Sequence, residues 1–233
     1  MSPGRRAAVF AGILYLITHV TSVGARILYM PFLEDPSLAT RAEPLLVFGM
    51  VLEVILAAAV VGTSVALYPL LRDKGPHLAI GYVGLRTLEA AVIGTGAAAM
   101  FAVILTDPGL NGSDGLGGEP ILEVVDIALI QVVEAAFILG PGLICSFNTV
   151  VITTLLYRKR LVPRIIPMLG LIGGPLVFVW NVGLMLNIAD ASNAFAIFFV
   201  VPIFAWEISF AIYLIARGIR DSGTAHQEVP LRA

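Results

Sequence analysis

Hydrophobic residues make up 58% of the 233-residue chain and charged residues only 13%, with a mean hydropathy of +0.95. This balance excludes an ordinary soluble domain and predicts a polytopic membrane protein. The formal charge of −2 decides nothing as a sum, because what counts in a membrane protein is the side on which each charge falls. No basic stripe or basic-aromatic motif for nucleic acid is present, and a single cysteine, Cys145, excludes an internal disulfide or a cysteine metal cluster and is read as packing.

Met1 to Arg6 followed by an apolar stretch resembles the start of a signal peptide, with Val23-Gly24-Ala25 where a cleavage site would fall. The run is too long for that and carries patterned polar residues, so it is read as the first transmembrane helix. Six crossings account for the chain, at about 7–30, 44–70, 77–105, 124–157, 165–187 and 194–216, each at or above the roughly 20 residues that a spanning helix needs. Arg5, Arg6, Arg72, Lys74, Arg158, Lys159, Arg160, Arg164, Arg217 and Arg220 fall at alternate ends of these runs, and Glu34, Asp35, Asp107, Asp114, Glu119 and Asp190 at the others. The positive-inside rule then puts both termini in the cytoplasm of a cell-membrane protein. The expected architecture is an all-α transmembrane bundle in a single domain, 1–220, with a disordered cytoplasmic tail from 221 to 233.

The fourth run is irregular, since 121–157 is too long for one straight crossing while the charges at its two sides demand an odd number of passes. Gly140-Pro141-Gly142 is the expected break. The stretch before it, with Glu123, Asp126, Gln131 and Glu134, is expected to lie at the outer interface or dip into the bundle as an amphipathic or re-entrant helix, countable as a seventh. The Gly- and Asp-rich segment TDPGLNGSDGLGGEP ahead of it is expected to be a mobile outer connection, and no dinucleotide or P-loop glycine fingerprint is present.

Polar residues inside the spans are the candidates for function. The first helix carries Tyr15, His19, Ser22, Arg26 and Tyr29 at spacings of four, three, four and three, a continuous stripe that must face protein or water. Arg26 is expected either to snorkel outward or to pair with Glu53 of the second helix. Arg86 and Glu89 of the third helix stand three residues apart and are expected to pair. Asn148 is expected to donate a hydrogen bond between helices, Gly170, Gly173 and Gly174 to permit close helix contact, and Trp180 and Asn181 to face the outer half. The last run, FAIFFVVPIFAWEISFAIY from Phe195 to Tyr213, holds Glu207 at its middle, with Phe204 and Phe210 on its face and Trp206 beside it. An ionised side chain at mid-bilayer costs roughly 3 kcal/mol on insertion scales, so Glu207 is expected to be a neutral acid in an aromatic pocket unless Arg86 or His19 crosses to it.

The stretches LRTLEAA, LLYRKRLVPRIIPMLGLIGG and IFAWEISFAIYLIARGIR resemble the signature segments of a widespread bacterial family of small multi-pass membrane proteins known only as a domain of unknown function. The resemblance covers nearly the whole chain and implies a membrane topology but no chemistry. In size, helix count and the placing of carboxylates near Glu53 and Glu207, the chain also resembles the integral-membrane terpene cyclases, an architectural likeness without a shared motif.

Three functions fit these residues. An intramembrane enzyme on an isoprenoid-like substrate would use Glu207 or Glu53 as proton donor and aromatic rings to stabilise the resulting cation, with His19, Tyr15, Arg26, Arg86, Glu89, Glu134, Trp180, Asn181, Phe204, Trp206 and Phe210 around the substrate. No cofactor or metal is expected, since aspartate-rich motifs for a magnesium-bound diphosphate are missing and His19 is the one intramembrane histidine. A proton-coupled transporter would use Glu53, Glu89 and Glu207 as a relay, and a structural protein would use all of these groups to knit the bundle. The expected partners are the lipid bilayer and a lipophilic small molecule.

Overall fold

Where water is scarce, each backbone N–H and C=O must be satisfied within its own segment, so apolar runs of this length fold as helices. The computed structural model describes residues 1–34, 43–106, 119–190 and 194–220. Its elements are α1 (Pro3–Glu34), α2 (Glu43–Leu71), α3 (Pro76–Thr106), α4 (Glu119–Phe137), a π-helical segment (Ile138–Ile144), α5 (Cys145–Lys159), α6 (Ile165–Met185) and α7 (Ala196–Ala216), with no strand among the described residues. Six spans, Pro3–Leu33, Pro44–Leu71, Pro76–Leu105, Val124–Lys159, Ile165–Met185 and Ala196–Ala216, are long and apolar enough to cross a membrane. Large apolar side chains such as Phe10, Val20, Phe48, Val54 and Ile212 stand exposed along them, as a lipid-facing surface requires. The chain is a multi-pass membrane protein. The connection at 107–118 and the tail at 221–233 lie outside the described residues.

Sequence neighbours pack side by side, and α7 closes the ring against α1. The closure is tight at the end of the bundle that carries both termini. There the Arg5 guanidinium donates to the carbonyls of Leu214 (2.7 Å) and Ile215 in the last turn of α7. A side chain at Gly12 would come within 2.7 Å of the Ala211 carbonyl, so glycine sets how closely α1 and α7 approach. Gly173 does the same between α6 and α7, where an added Cβ would lie 2.5 Å from the Ile203 backbone nitrogen, as the glycine pattern in this helix predicts.

The fourth crossing departs from expectation. Residues 119–159 form one helical rod about 60 Å long at 1.5 Å per residue. Gly140-Pro141-Gly142 does not break it. Pro141 lacks an N–H and would clash with the carbonyl of the preceding turn, and the wider π turn accommodates both defects. The stretch before it is therefore not re-entrant but continues the fourth span outward. Ile130 and Val133 of α4 are buried against Tyr29, Phe32, Leu46, Met100 and Val103, which fixes α4 alongside α3.

The main core lies in the half nearer the termini, where Leu67, Leu71, Ile152, Leu155, Leu156, Trp206 and Phe210 fill the centre of the ring. It is capped by Tyr15 and Tyr82, whose hydroxyls meet at 2.5 Å. Beyond that cap the centre of the ring is a cavity.

Candidate functional site

The cavity measures about 410 Å³, within the range of small-molecule sites. Its floor is a pair contributed by the two helices that close the ring. His19 Nε2 of α1 lies 3.3 Å from Glu207 Oε2 of α7, both side chains being nearly buried. The contact is close enough for an ion pair, although Nε2 lacks an aligned hydrogen bond. The other ring nitrogen, Nδ1, lies 2.9 Å from the Tyr15 carbonyl oxygen. A carbonyl can only accept, so Nδ1 carries a hydrogen, and Nε2 is bare in the neutral ring. Nε2 and Oε2 then face each other at 3.3 Å as two acceptors unless a proton lies between them, on Nε2 or on the carboxyl. Of the two residues expected to be able to cross to Glu207, Arg86 and His19, it is His19 that does. Phe204 packs edge-on against the His19 ring with centroids 5.0 Å apart and fixes its plane.

Beside this pair runs a buried hydrogen-bonded network. Arg86 donates to Glu89 Oε2 at 2.9 Å and to Thr63 Oγ1 at 3.3 Å, and Asn148 of α5 donates to the same Glu89 oxygen at 2.5 Å. The guanidinium also lies 5.3 Å from the Tyr15 ring centroid. Arg86 and Glu89 are both almost wholly buried and link α1, α2, α3 and α5. Their i,i+3 pairing is as the spacing predicts, and Asn148 is the interhelical donor expected.

At the other end of the cavity, Arg26 takes a partner that helical spacing cannot reveal. It grips both carboxylate oxygens of Glu134, at 2.6 and 3.3 Å, and lies 4.7 Å over the Phe137 ring. It neither snorkels outward nor pairs with Glu53. Glu53 instead accepts from the Tyr29 hydroxyl at 3.3 Å and borders a separate void of about 20 Å³, enough for one water molecule. Ser22, Arg26, Phe137 and Pro141 line both spaces and form the wall between them.

Of the residues singled out from sequence, His19, Arg26, Arg86, Glu89, Trp180, Asn181, Phe204 and Glu207 line the cavity. Tyr15, Trp206 and Phe210 do not. They lie beneath it, with Phe210 stacked on Trp206 at 4.7 Å and edge-on to Tyr15 at 5.6 Å. The aromatic faces open to the cavity are Phe137, Trp180 and Phe204, so the Phe204-Glu207-Phe210 face divides, its last member serving the core. Glu134 reaches the site through Arg26, and Glu53 stands in the side void.

Sequence reading missed Thr63, buried under Arg86, and the lining role of Pro141, Gly142 and Cys145. A Thr-Ser step inside the apolar run of α2 was the available signal for the first. The Gly-Pro-Gly triplet was the signal for the π turn, whose glycines are needed because a side chain at Gly142 would run into the Asn181 amide. No curated protein and no solved structure matches the chain. The family described as Domain of unknown function (DUF4386) matches residues 10–218, which hold every cavity-lining residue, and the chain belongs to that family.

Proposed function

We propose that the chain is an intramembrane enzyme that acts on a lipophilic, isoprenoid-like substrate by proton transfer, in the manner of a membrane-bound terpene cyclase or isomerase. The observation that carries the reading is the 3.3 Å contact of His19 Nε2 with Glu207 Oε2, two groups that can hold one transferable proton between them, at the floor of a largely apolar cavity. Transfer of that proton from the Glu207 carboxyl to a substrate double bond leaves a carboxylate and a substrate cation. The π-faces of Phe204, Trp180 and Phe137 can stabilise the cation. Loss of a neighbouring C–H proton to the carboxylate restores the pair, so the sequence is balanced without another reactant. Proton-coupled transport would draw on the same groups. The core beneath Tyr15 and Tyr82 is mainly apolar, with Thr153 as a buried polar exception, which favours the enzyme reading.

The test is incubation of the protein in lipid nanodiscs with an isoprenoid lipid extract in D2O, followed by mass spectrometry for deuterium on carbon. Glu207→Gln preserves shape but supplies no proton, so incorporation should fall at least about 10²-fold with melting temperature unchanged. A fully active Gln variant would remove Glu207 from the chemistry and shift the assignment to Glu53.

We also read the basic end of the bundle, with Arg5, Arg72, Arg158 and Arg217, as cytoplasmic in the cell membrane. Cysteines introduced at 107–118 should label from outside intact cells, and cysteines at 158–164 should not. External labelling of the second set would reverse the orientation.

A further inference from the structure

We infer that the substrate of this site is uncharged, carries one polar end, and enters from the bilayer between α1 and α7 with that end leading. The inference rests on the enzyme reading above and adds the class of molecule. Charge balance is the first argument. The ionisable side chains lining the cavity are His19, Arg26, Arg86, Glu89 and Glu207. Arg26 is neutralised by Glu134, Arg86 by Glu89, and His19 with Glu207 is neutral when one proton lies between them, as the proposed chemistry requires. Glu53 stands outside, in the side void. A permanently charged head group would have to break one of these pairs or remain uncompensated in a site without bulk water, and both are costly. A hydroxyl or carbonyl meets no such penalty and can use the one unaligned polar contact at the floor, His19 Nε2.

The distribution of polarity is the second argument. Away from the floor the walls include Val23, Ile27, Leu184 and Val200, and Arg26 there is already held by both Glu134 oxygens. The other polar groups there, Ser22, Trp180 and Asn181, are neutral, and the Asn181 amide nitrogen is already given to the Val177 carbonyl, so a second polar end would find few partners and a charged one none of opposite sign left free. The route is the third argument. Val23, Ile27 and Phe204 line the cavity yet remain 43%, 62% and 37% exposed on the flanks of spanning helices, so the mouth faces lipid rather than the ends of the bundle.

Trp180 lines the cavity and the chain's other tryptophan, Trp206, does not, which makes fluorescence quenching a direct reading. Nanodiscs containing the full chain would be titrated with a long-chain primary alcohol brominated at mid-chain, and with the matched alkyl sulfate and alkyltrimethylammonium at equal mole fraction. The alcohol should give a saturable component, displaced by its unbrominated counterpart and missing in Trp180→Phe, with affinity at least about tenfold above either ion. Val23→Phe at the mouth should slow its onset. Equal or tighter saturable quenching by the sulfate or the ammonium would overturn the uncharged class while leaving the enzyme reading to the deuterium experiment. A complete lack of saturable quenching by all three probes would overturn the inference and the cavity as a ligand site together.

Discussion

The two halves of this bundle are built from the same kind of helix and solve opposite problems. Near the termini the ring is filled by Leu67, Leu71, Ile152, Leu155 and Leu156, with Tyr15 and Tyr82 sealing the top through a hydroxyl contact of 2.5 Å. Above that seal the centre is a cavity of about 410 Å³, and the polar groups of α1, α3 and α7 face it in pairs. Close packing, helped by the Arg5 bonds to the end of α7, holds the first half, since helices in lipid gain little from hiding apolar surface. The second half has its own apolar cluster around Tyr29, Phe32, Met100 and Val133, adds charge pairs and hydrogen bonds to it, and leaves unfilled space at its centre. A protein that needed only cohesion would have filled both ends alike. On the proposed function, the chemistry belongs to the polar half and the dry half fixes α1 against α7, on which the His19 to Glu207 distance depends.

The strongest way to break the contrast is to unbalance the polar half. Glu89→Gln leaves Arg86 buried without its counter-charge and should cost about 3–5 kcal/mol, read as loss of folded yield and melting temperature. The double replacement Arg86→Met with Glu89→Leu should be milder than Glu89→Gln alone, and additive losses would show the two to be uncoupled. Next in size is a cavity opened in the dry half. Leu67→Ala should cost about 2–5 kcal/mol, yet leave deuterium incorporation per folded molecule unchanged, and a selective loss of incorporation would mean that the halves are not separable. The smallest effect should come from Glu134→Gln. Its pair with Arg26 is more than a quarter exposed on both sides, so stability should change by less than about 1 kcal/mol, while Arg26, freed beside the cavity, should weaken binding of the uncharged alcohol. A large fall in melting temperature instead would make this pair a structural tie like Arg86 and Glu89.

Much of this architecture was legible without coordinates, and the reasons are local. Hydropathy along the chain determined the six spans, because an apolar run of that length has one stable conformation in lipid. Helical periodicity determined that Tyr15, His19, Ser22, Arg26 and Tyr29 share one face, and that Arg86 and Glu89 can meet, since both relations lie within a few turns of one helix. What only the tertiary structure decided was every partnership between helices. Arg26 meets Glu134 across 108 residues rather than Glu53, and Glu207 meets His19 rather than Arg86. Those choices depend on the order of helices around the ring and on the rotation of each about its axis. Close-approach glycines such as Gly12 and Gly173 and the π turn at Pro141 set that geometry through contacts between chain segments far apart in sequence, which a one-dimensional pattern does not encode.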